Sequence, residues 1–344
     1  TSPPPHRVRA RRAVRSILLP CAGMRVDFVR AFVVALAAEG GGRVLVSDLD
    51  PPAPARFSAD GEVVLPAVDD PDYGARVAEA CAREGVVGVL PLTDLDPVLL
   101  AEARPLLEDA GARVFVPEPA VALGCQDKWE CHLLLGATGL PSPPTWLPDQ
   151  ADPDALPYPV LLKPRLGFAA RHIYAAADRA ELEFFHAYSP AESVIQRRLG
   201  GEEFSIDCLG DLDGAPIGAI PRAMLQAKGG EQIKGETLDD AQLVELGAAV
   251  VAGLGLVGPS TVQCFRDGDR VLGVTDINTR FGGGFPLPLA AGGDYPRSIV
   301  RMALGRTVES RLGTHRAGVV MTRHLDQTIL VRGPGGVEPL RAVQ

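Results

Sequence analysis

Thr261-Val262-Gln263-Cys264-Phe265-Arg266, then Asp267-Gly268-Asp269, then Arg270-Val271-Leu272-Gly273-Val274-Thr275-Asp276-Ile277-Asn278-Thr279-Arg280 decides the reading of this chain. Two runs of strand-forming residues flank an Asp-Gly pair, which predicts a β-hairpin. Side chains alternate along a strand, so Asp276 and Asn278 share one face and Arg280 follows in the same alternation. Gln263 comes from the partner strand. Oxygen donors from two adjacent strands suit a hard cation such as magnesium, and a guanidinium beside them suits phosphate oxygens. The glycines of Arg280-Phe281-Gly282-Gly283-Gly284 let backbone amides approach an anion.

Working outward, Pro159-Val160-Leu161-Leu162 is an apolar strand that ends in Lys163, placed like a phosphate anchor. Residues 158–163, 194–196, 203–209 and 217–221 read as successive strands, with helices over 178–187 and 241–254. This half is α+β with an antiparallel sheet. From Arg15 to Val116 the texture differs. Strands at 15–19, 44–47, 63–65, 86–90 and 114–116 alternate with helices at 26–38, 73–83 and 98–109. Such alternation predicts a parallel sheet covered on both faces. A helix over 126–138 ends at Gly139, with Pro141, Pro143 and Pro144 beyond it.

The turn Pro20-Cys21-Ala22-Gly23-Met24-Arg25 lacks the dinucleotide fingerprint, so the first unit is Rossmann-like without support for NAD. Thr93, Asp94 and Asp96 follow a strand at the carboxyl edge of that sheet. They read equally as a substrate contact or as a polar loop opening the next helix. Composition excludes other classes. A net charge of −9 argues against sequence-independent nucleic-acid binding. No apolar run approaches membrane-spanning length. The six cysteines form no zinc pattern and read as buried reduced thiols of a cytosolic protein. No Ser/His/Asp or Cys/His nucleophile arrangement is visible. Residues 1–14 read as a disordered basic tail.

Together these motifs resemble the ATP-grasp superfamily, in its carbamoyl-phosphate-synthase-like branch of carboxylate–amine ligases. The resemblance runs from about residue 15 to 330. It is carried by Asp127-Lys128, Gly139-Leu140-Pro141, Tyr158 to Pro164, Val194 to Asp207, Gly229-Gly230-Glu231, Val262 to Phe265 and Asp276 to Gly284. It implies an ATP-grasp fold, α/β plus α+β, with a Rossmann-like pre-ATP-grasp domain over 15–116. The core would follow at 117–344, divided into a small lid subdomain (about 127–196) and a C-terminal subdomain (about 197–344).

The resemblance further implies that Lys128 and Lys163 contact ATP phosphates. Backbone groups around Gln196, Arg197 and Leu199 would hold adenine, and Glu203 the ribose. Gln263, Asp276 and Asn278 would hold magnesium, or manganese in its place. Arg280 would stabilise the transferred phosphoryl group, with Arg222 a further catalytic candidate, and Gly167–Arg171 would be the lid. The implied reaction joins a small-molecule carboxylate to an amine through an acyl phosphate, in a homodimer. Bicarbonate activation and a degenerate, non-catalytic ATP-binding protein are the alternatives. Two positions depart from the family pattern. Asp276 and Thr279 stand where Glu and Pro are usual, and Phe168-Ala169-Ala170 makes a glycine-poor lid. His132, His172 and Glu202 read as structural or surface residues, His324 is open, and Lys228 and Lys234 lean toward a substrate-facing loop.

Overall fold

The computed structural model describes residues 15–167, 171–228 and 231–340. The basic tail, most of the lid and the Gly229-Gly230 pair lie outside the described residues. The first unit runs β1 (Ser16–Leu19), α1 (Val26–Ala38), β2 (Arg43–Val46), β3 (Gly61–Glu62), α2 (Tyr73–Glu84), β4 (Val86–Val89), α3 (Pro97–Glu102), α4 (Arg104–Asp109) and β5 (Arg113–Val114). Its five strands are all parallel, in the order β3-β2-β1-β4-β5. The central strand β1 is buried at every position, as expected for a sheet covered on both faces. Leu18, Leu45 and Val89 pack toward Val77 and Ala80 of α2. Ile17, Leu19, Val44 and Val46 pack the other way, toward Phe28 and Phe32 of α1.

Local chemistry moved several expected boundaries. The third strand pairs at Gly61–Glu62 rather than 63–65, although Val63 still donates its N–H to the Val46 carbonyl at 2.9 Å. The helix expected over 98–109 divides at Ala103. Pro105 has no N–H to give, so it is accommodated in the first turn of a new helix rather than inside one. The helix expected over 126–138 is α6 (Lys128–Ala137), and a further helix that the sequence did not reveal, α5 (Pro119–Gln126), precedes it. Between them Asp127 is extended, and its carboxylate accepts from the Trp129 and Glu130 N–H groups as an N-cap.

A small antiparallel sheet follows, built from β6 (Thr145–Trp146), β7 (Val160–Pro164), β8 (Tyr174–Ala176), α7 (Arg179–Tyr188) and β9 (Ser193–Arg197), in strand order β6-β9-β7-β8. The larger sheet has β10 (Glu202–Gly210), β11 (Pro216–Lys228), β12 (Glu231–Thr237), α8 (Ala241–Leu254), β13 (Gly258–Asp267) and β14 (Arg270–Asn278). It is completed by α9 (Pro286–Ala290), α10 (Tyr295–Ala303) and β15 (Val320–Thr322). Its order is β14-β13-β10-β11-β12-β15, antiparallel throughout. A separate ribbon of β16 (Leu330–Gly333) and β17 (Gly336–Pro339) ends the described chain.

The back of the large sheet is apolar. Phe204, Ile206, Cys208, Val262 and Ile277 bury against Leu243, Val250 and Val251 of α8. Each such aliphatic side chain contributes about 1.5–3 kcal/mol over leaving it in water. That burial fixes which way every strand faces, because a one-residue slip would turn the core side chains outward.

The parallel unit and the large sheet share one core. Phe281, Phe285, Tyr295, Ile299 and Val300 lie in the same buried cluster as Ile17, Phe28 and Phe32. Beside it, Glu39 at the end of α1 is 5% exposed and receives Arg297 at 2.7 Å, Arg301 at 3.3 Å and Arg306. The hydrogen bond from Arg297, with the other two guanidiniums, holds the Glu39 carboxyl below the usual carboxylate range. A lowered carboxylate pKa stabilises the fold above the unfolded value, and the benefit is lost as pH falls through the folded value. Glu39→Gln should therefore lower Tm by roughly 2–4 °C at neutral pH. Thermal melts should show the gap between the two proteins closing only below about pH 4; a gap that is independent of pH would contradict the assignment.

Candidate functional site

The front of the large sheet is polar, and its register builds the site. Gln263 stands opposite Asp276, and Thr261 opposite Asn278. On the other side Ser205 stands opposite Gln263 and Asp207 opposite Thr261, and Ser205 also pairs with Arg222. The register shifts just after the Gln263–Asp276 pair. Thr275 is the extra residue there, and its hydroxyl donates to the Gln263 carbonyl at 3.4 Å. Such a bulge re-aims neighbouring side chains.

The three expected metal ligands are brought together. Asn278 Nδ2 donates to Asp276 Oδ2 at 3.4 Å, and Gln263 Nε2 donates to Glu203 Oε1 at 2.9 Å. The atoms that these three side chains can offer a metal are carboxylate or amide oxygens, the chemistry that fits magnesium rather than zinc. Among the described residues no cluster of three His, Cys, Asp or Glu side chains forms a metal site. The arrangement here has one carboxylate flanked by two amides.

Lys163 closes the site from the small sheet. It is 9% exposed, and its ammonium donates to Gln196 Oε1 at 2.7 Å, a neutral partner. Burial lowers the Lys163 pKa, while Asp276 and Glu203 pull it back up. Burial likewise raises the pKa of Glu203, against the pull of Lys163. Lys163 is held in a dry setting and Glu203 in a half-buried one, where an added anion or cation is felt more strongly than in water.

Gln196 is buried, and its amide also donates to Thr145 at 3.2 Å. Arg197 is exposed, and its backbone N–H is bonded to the Pro144 carbonyl at 2.9 Å. Leu199 is half-buried in the loop beyond β9. Lys128 donates to the Gly167 carbonyl at 3.2 Å, at the mouth of the lid. The adjoining Arg165 is clamped on Asp127 by bonds of 2.6 and 3.0 Å.

Arg280 leaves β14 pointing to the parallel unit, where it meets Asp94 at 2.7 Å. A cavity of about 290 Å³ lies there, lined by Asp94, Cys125, Gln126, Leu166, Gly167, Asp276, Asn278 and Thr279. Asp94 and Asp96, which the sequence left undivided, have separate fates. Asp94 faces the cavity. Asp96 is fully buried and accepts from the Tyr73 hydroxyl at 3.2 Å, and burial pushes its pKa up to about 7. It makes no side-chain cap bond to α3. Cys125, Gln126 and Leu166 were not read as site residues, because only tertiary packing brings the end of α5 and the loop after β7 to one cavity.

Arg222 does not reach the cavity as a free side chain. It is 3% exposed, and its guanidinium is bonded to Asp207 at 2.6 Å and to Gln232. Asp207 in turn accepts from Thr261 at 3.0 Å. Arg222 thus braces the polar face rather than presenting a charge to a substrate. His132 bonds Ser142 at 2.7 Å and His172 bonds Tyr174 at 3.3 Å, local contacts in keeping with structural roles. Lys228, Lys234 and His324 are exposed.

Residues 17–115 match a family model described as the PylC-like N-terminal domain. Residues 189–326 match one described as ATP-grasp in the biosynthetic pathway with Ter operon. Among solved structures, the biotin carboxylase domain of Hydrogenobacter thermophilus 2-oxoglutarate carboxylase, in complex with MgADP, ADP and bicarbonate, is 17% identical with a TM-score of 0.70. The match covers 88% of this chain and 73% of that one. N5-carboxyaminoimidazole synthetase from Staphylococcus aureus, complexed with ADP, is 15% identical with a TM-score of 0.70, covering 90% and 82%. Rhizobium etli pyruvate carboxylase is 18% identical with a TM-score of 0.69, and this chain spans 30% of its length.

The Arg222–Asp207 pair is almost fully buried, so removing one partner strands a charge. Asp207→Ala should cost about 3–5 kcal/mol of stability. Urea denaturation would measure the loss, and a cost under about 1 kcal/mol would mean that the pair is dispensable.

Proposed function

We infer that this chain, which matches an ATP-grasp family model over residues 189–326, is an ADP-forming ligase that activates a carboxylate for attack by an amine. One observation carries the reading. The oxygen donors Gln263, Asp276 and Asn278 stand together on one sheet face, within electrostatic reach of a buried lysine whose bonded partner is neutral. A nucleotide triphosphate with its cation would satisfy both sets of groups.

In this proposal Gln263, Asp276 and Asn278 hold magnesium, which draws charge from the phosphoryl oxygens when bound. Lys163 and Lys128 bind phosphates, Glu203 binds the ribose, and the Gln196–Leu199 segment receives adenine. Because the Arg197 N–H is already bonded, adenine is met by other backbone groups of that segment. Arg280 fits a phosphoryl-stabilising role, since its Nε is buried and without a partner. Arg222 is assigned a positioning role. A carboxylate oxygen of the acid attacks the γ-phosphorus, the bond to the bridging oxygen breaks, and ADP leaves with that electron pair. The amine nitrogen then bonds to the acyl carbon, the carbon–oxygen bond to phosphate breaks, and the amine loses a proton. The chain supplies position and charge and needs no nucleophile of its own.

Bicarbonate is a second candidate for the activated acid, favoured by its presence in the similar Hydrogenobacter domain. That domain is also a dimer, which supports a homodimer here. Among the described residues no helix is long and apolar enough to cross a membrane. A cytoplasmic enzyme acting on small molecules, without nucleic-acid or membrane partners, is part of the same proposal.

Phosphate release screened over paired acids and amines tests the reading, with hydroxylamine trapping to separate an organic acid from bicarbonate. Asp276→Ala should abolish ADP formation with an unchanged circular dichroism spectrum. Arg280→Ala should lower kcat by about 10²–10³, and Lys163→Ala should weaken ATP binding in calorimetry. Folded variants with wild-type rates and affinity would remove the site assignment.

A further inference from the structure

Arg280 finds its counter-ion in the other lobe. Its Nη2 donates to Asp94 Oδ2 at 2.7 Å, from a loop 186 residues earlier in the chain. The same nitrogen donates to Asn278 Oδ1 at 2.9 Å. The Asp94 loop is braced, because Gln126 donates to the Asp94 carbonyl at 3.1 Å. Asp94 and Asp276 both line the cavity beside β14, and no basic side chain is among its described lining residues.

This arrangement is poorly suited to phosphate as it stands. A carboxylate in contact with the guanidinium cancels much of the positive charge that Arg280 would offer, and it repels a polyphosphate directly. Arg280 also occupies the amide oxygen that Asn278 would give to a cation. A cation delivered to Asp94 would relieve all three conflicts. The second substrate of the proposed reaction is such a cation, since a primary amine arrives in neutral water as an ammonium.

We propose that Asp94 is the recognition carboxylate for the ammonium of the amine substrate, and that it exchanges Arg280 for that ammonium when the amine binds. The inference rests on the ligase reading and deepens it. The acceptor binds as an ammonium between the loop after β4 and strand β14; it gives up one proton to solvent before its nitrogen lone pair attacks the acyl carbon, and loses the second as the amide forms. Released from Asp94, Arg280 turns its full charge to the phosphates and Asn278 regains its oxygen. Amine and MgATP then strengthen each other's binding, a reciprocal coupling. ATP is poorly held, and little is wasted, while the amine is absent.

Calorimetry with magnesium and the non-hydrolysable β,γ-imido analogue of ATP reads this without turnover. Asp94→Asn should bind the analogue about tenfold tighter than wild type, within the usual range of such couplings. Glycinamide, a small cationic amine, should tighten wild-type binding severalfold and leave Asp94→Asn unmoved. Asp94→Glu should restore the response to glycinamide, and neutral acetamide should have no effect on any of the three. Unchanged or weaker analogue binding by Asp94→Asn would overturn the proposal. So would a wild-type protein that ignores glycinamide, or that responds equally to acetamide. The glycinamide arm uses the wild-type chain and holds even if a variant fails to fold. Failure of wild type to bind the analogue at all would instead bring down the ligase reading on which this one rests.

Discussion

Phe281 is the fixed point of the molecule. Its ring lies 5.2 Å from Phe28 and 4.5 Å from Phe285, and it is 2% exposed. Arg280 precedes it directly, so the course of the chain beyond β14 is set by aromatic packing against α1. Moving that backbone would mean repacking the core of the parallel unit, and close-packed interiors resist such shifts. The ion cluster around Glu39 braces the same junction from the outside. The geometry of the candidate site is thus a property of how the two lobes dock, rather than of either lobe alone.

Around this fixed point the large sheet separates two environments. Its back is an apolar layer under α8, and its front collects Glu203, Gln263, Asp276 and Asn278. Lys163 faces them from the small sheet. Burial pushes both Lys163 and Glu203 toward their neutral forms, and their mutual attraction opposes it. A site of this kind is organised before its ligand arrives, since the sheet rather than the ligand holds the groups in place. Arg222, buried on the same face and paired with Asp207, contributes to that rigidity from underneath.

The legible parts of the chain were those whose signal is local. The hairpin of β13 and β14 was readable because alternation and an Asp-Gly turn act over a few residues. The parallel unit was readable because apolar runs and helices alternate. Pro105 divided a helix that periodicity had joined, since a missing N–H competes with the continuing helix at one position, and the Asp127 cap moved the start of another from Gln126 to Lys128. The helices α9 and α10 were not read. Both are short, open on or next to prolines and follow glycines, which masked the helical spacing of Tyr295, Ile299 and Met302 that α10 carries and buries in the shared core.

The chain by itself determined that Asp276 and Asn278 would share one sheet face, because alternation is a property of the backbone within a strand, and that Gln263 would come from the other strand of the same hairpin. It also determined the parallel and antiparallel halves and the superfamily that they resemble. Only the tertiary structure decided that Arg280 meets Asp94, that Asp96 turns inward while Asp94 turns out, and that Arg222 is tied to Asp207. Those outcomes depend on which surfaces dock. Docking is driven by non-directional burial of side chains far apart in sequence, and it also sets how much water each charge retains. Neither quantity is encoded in any short stretch of residues.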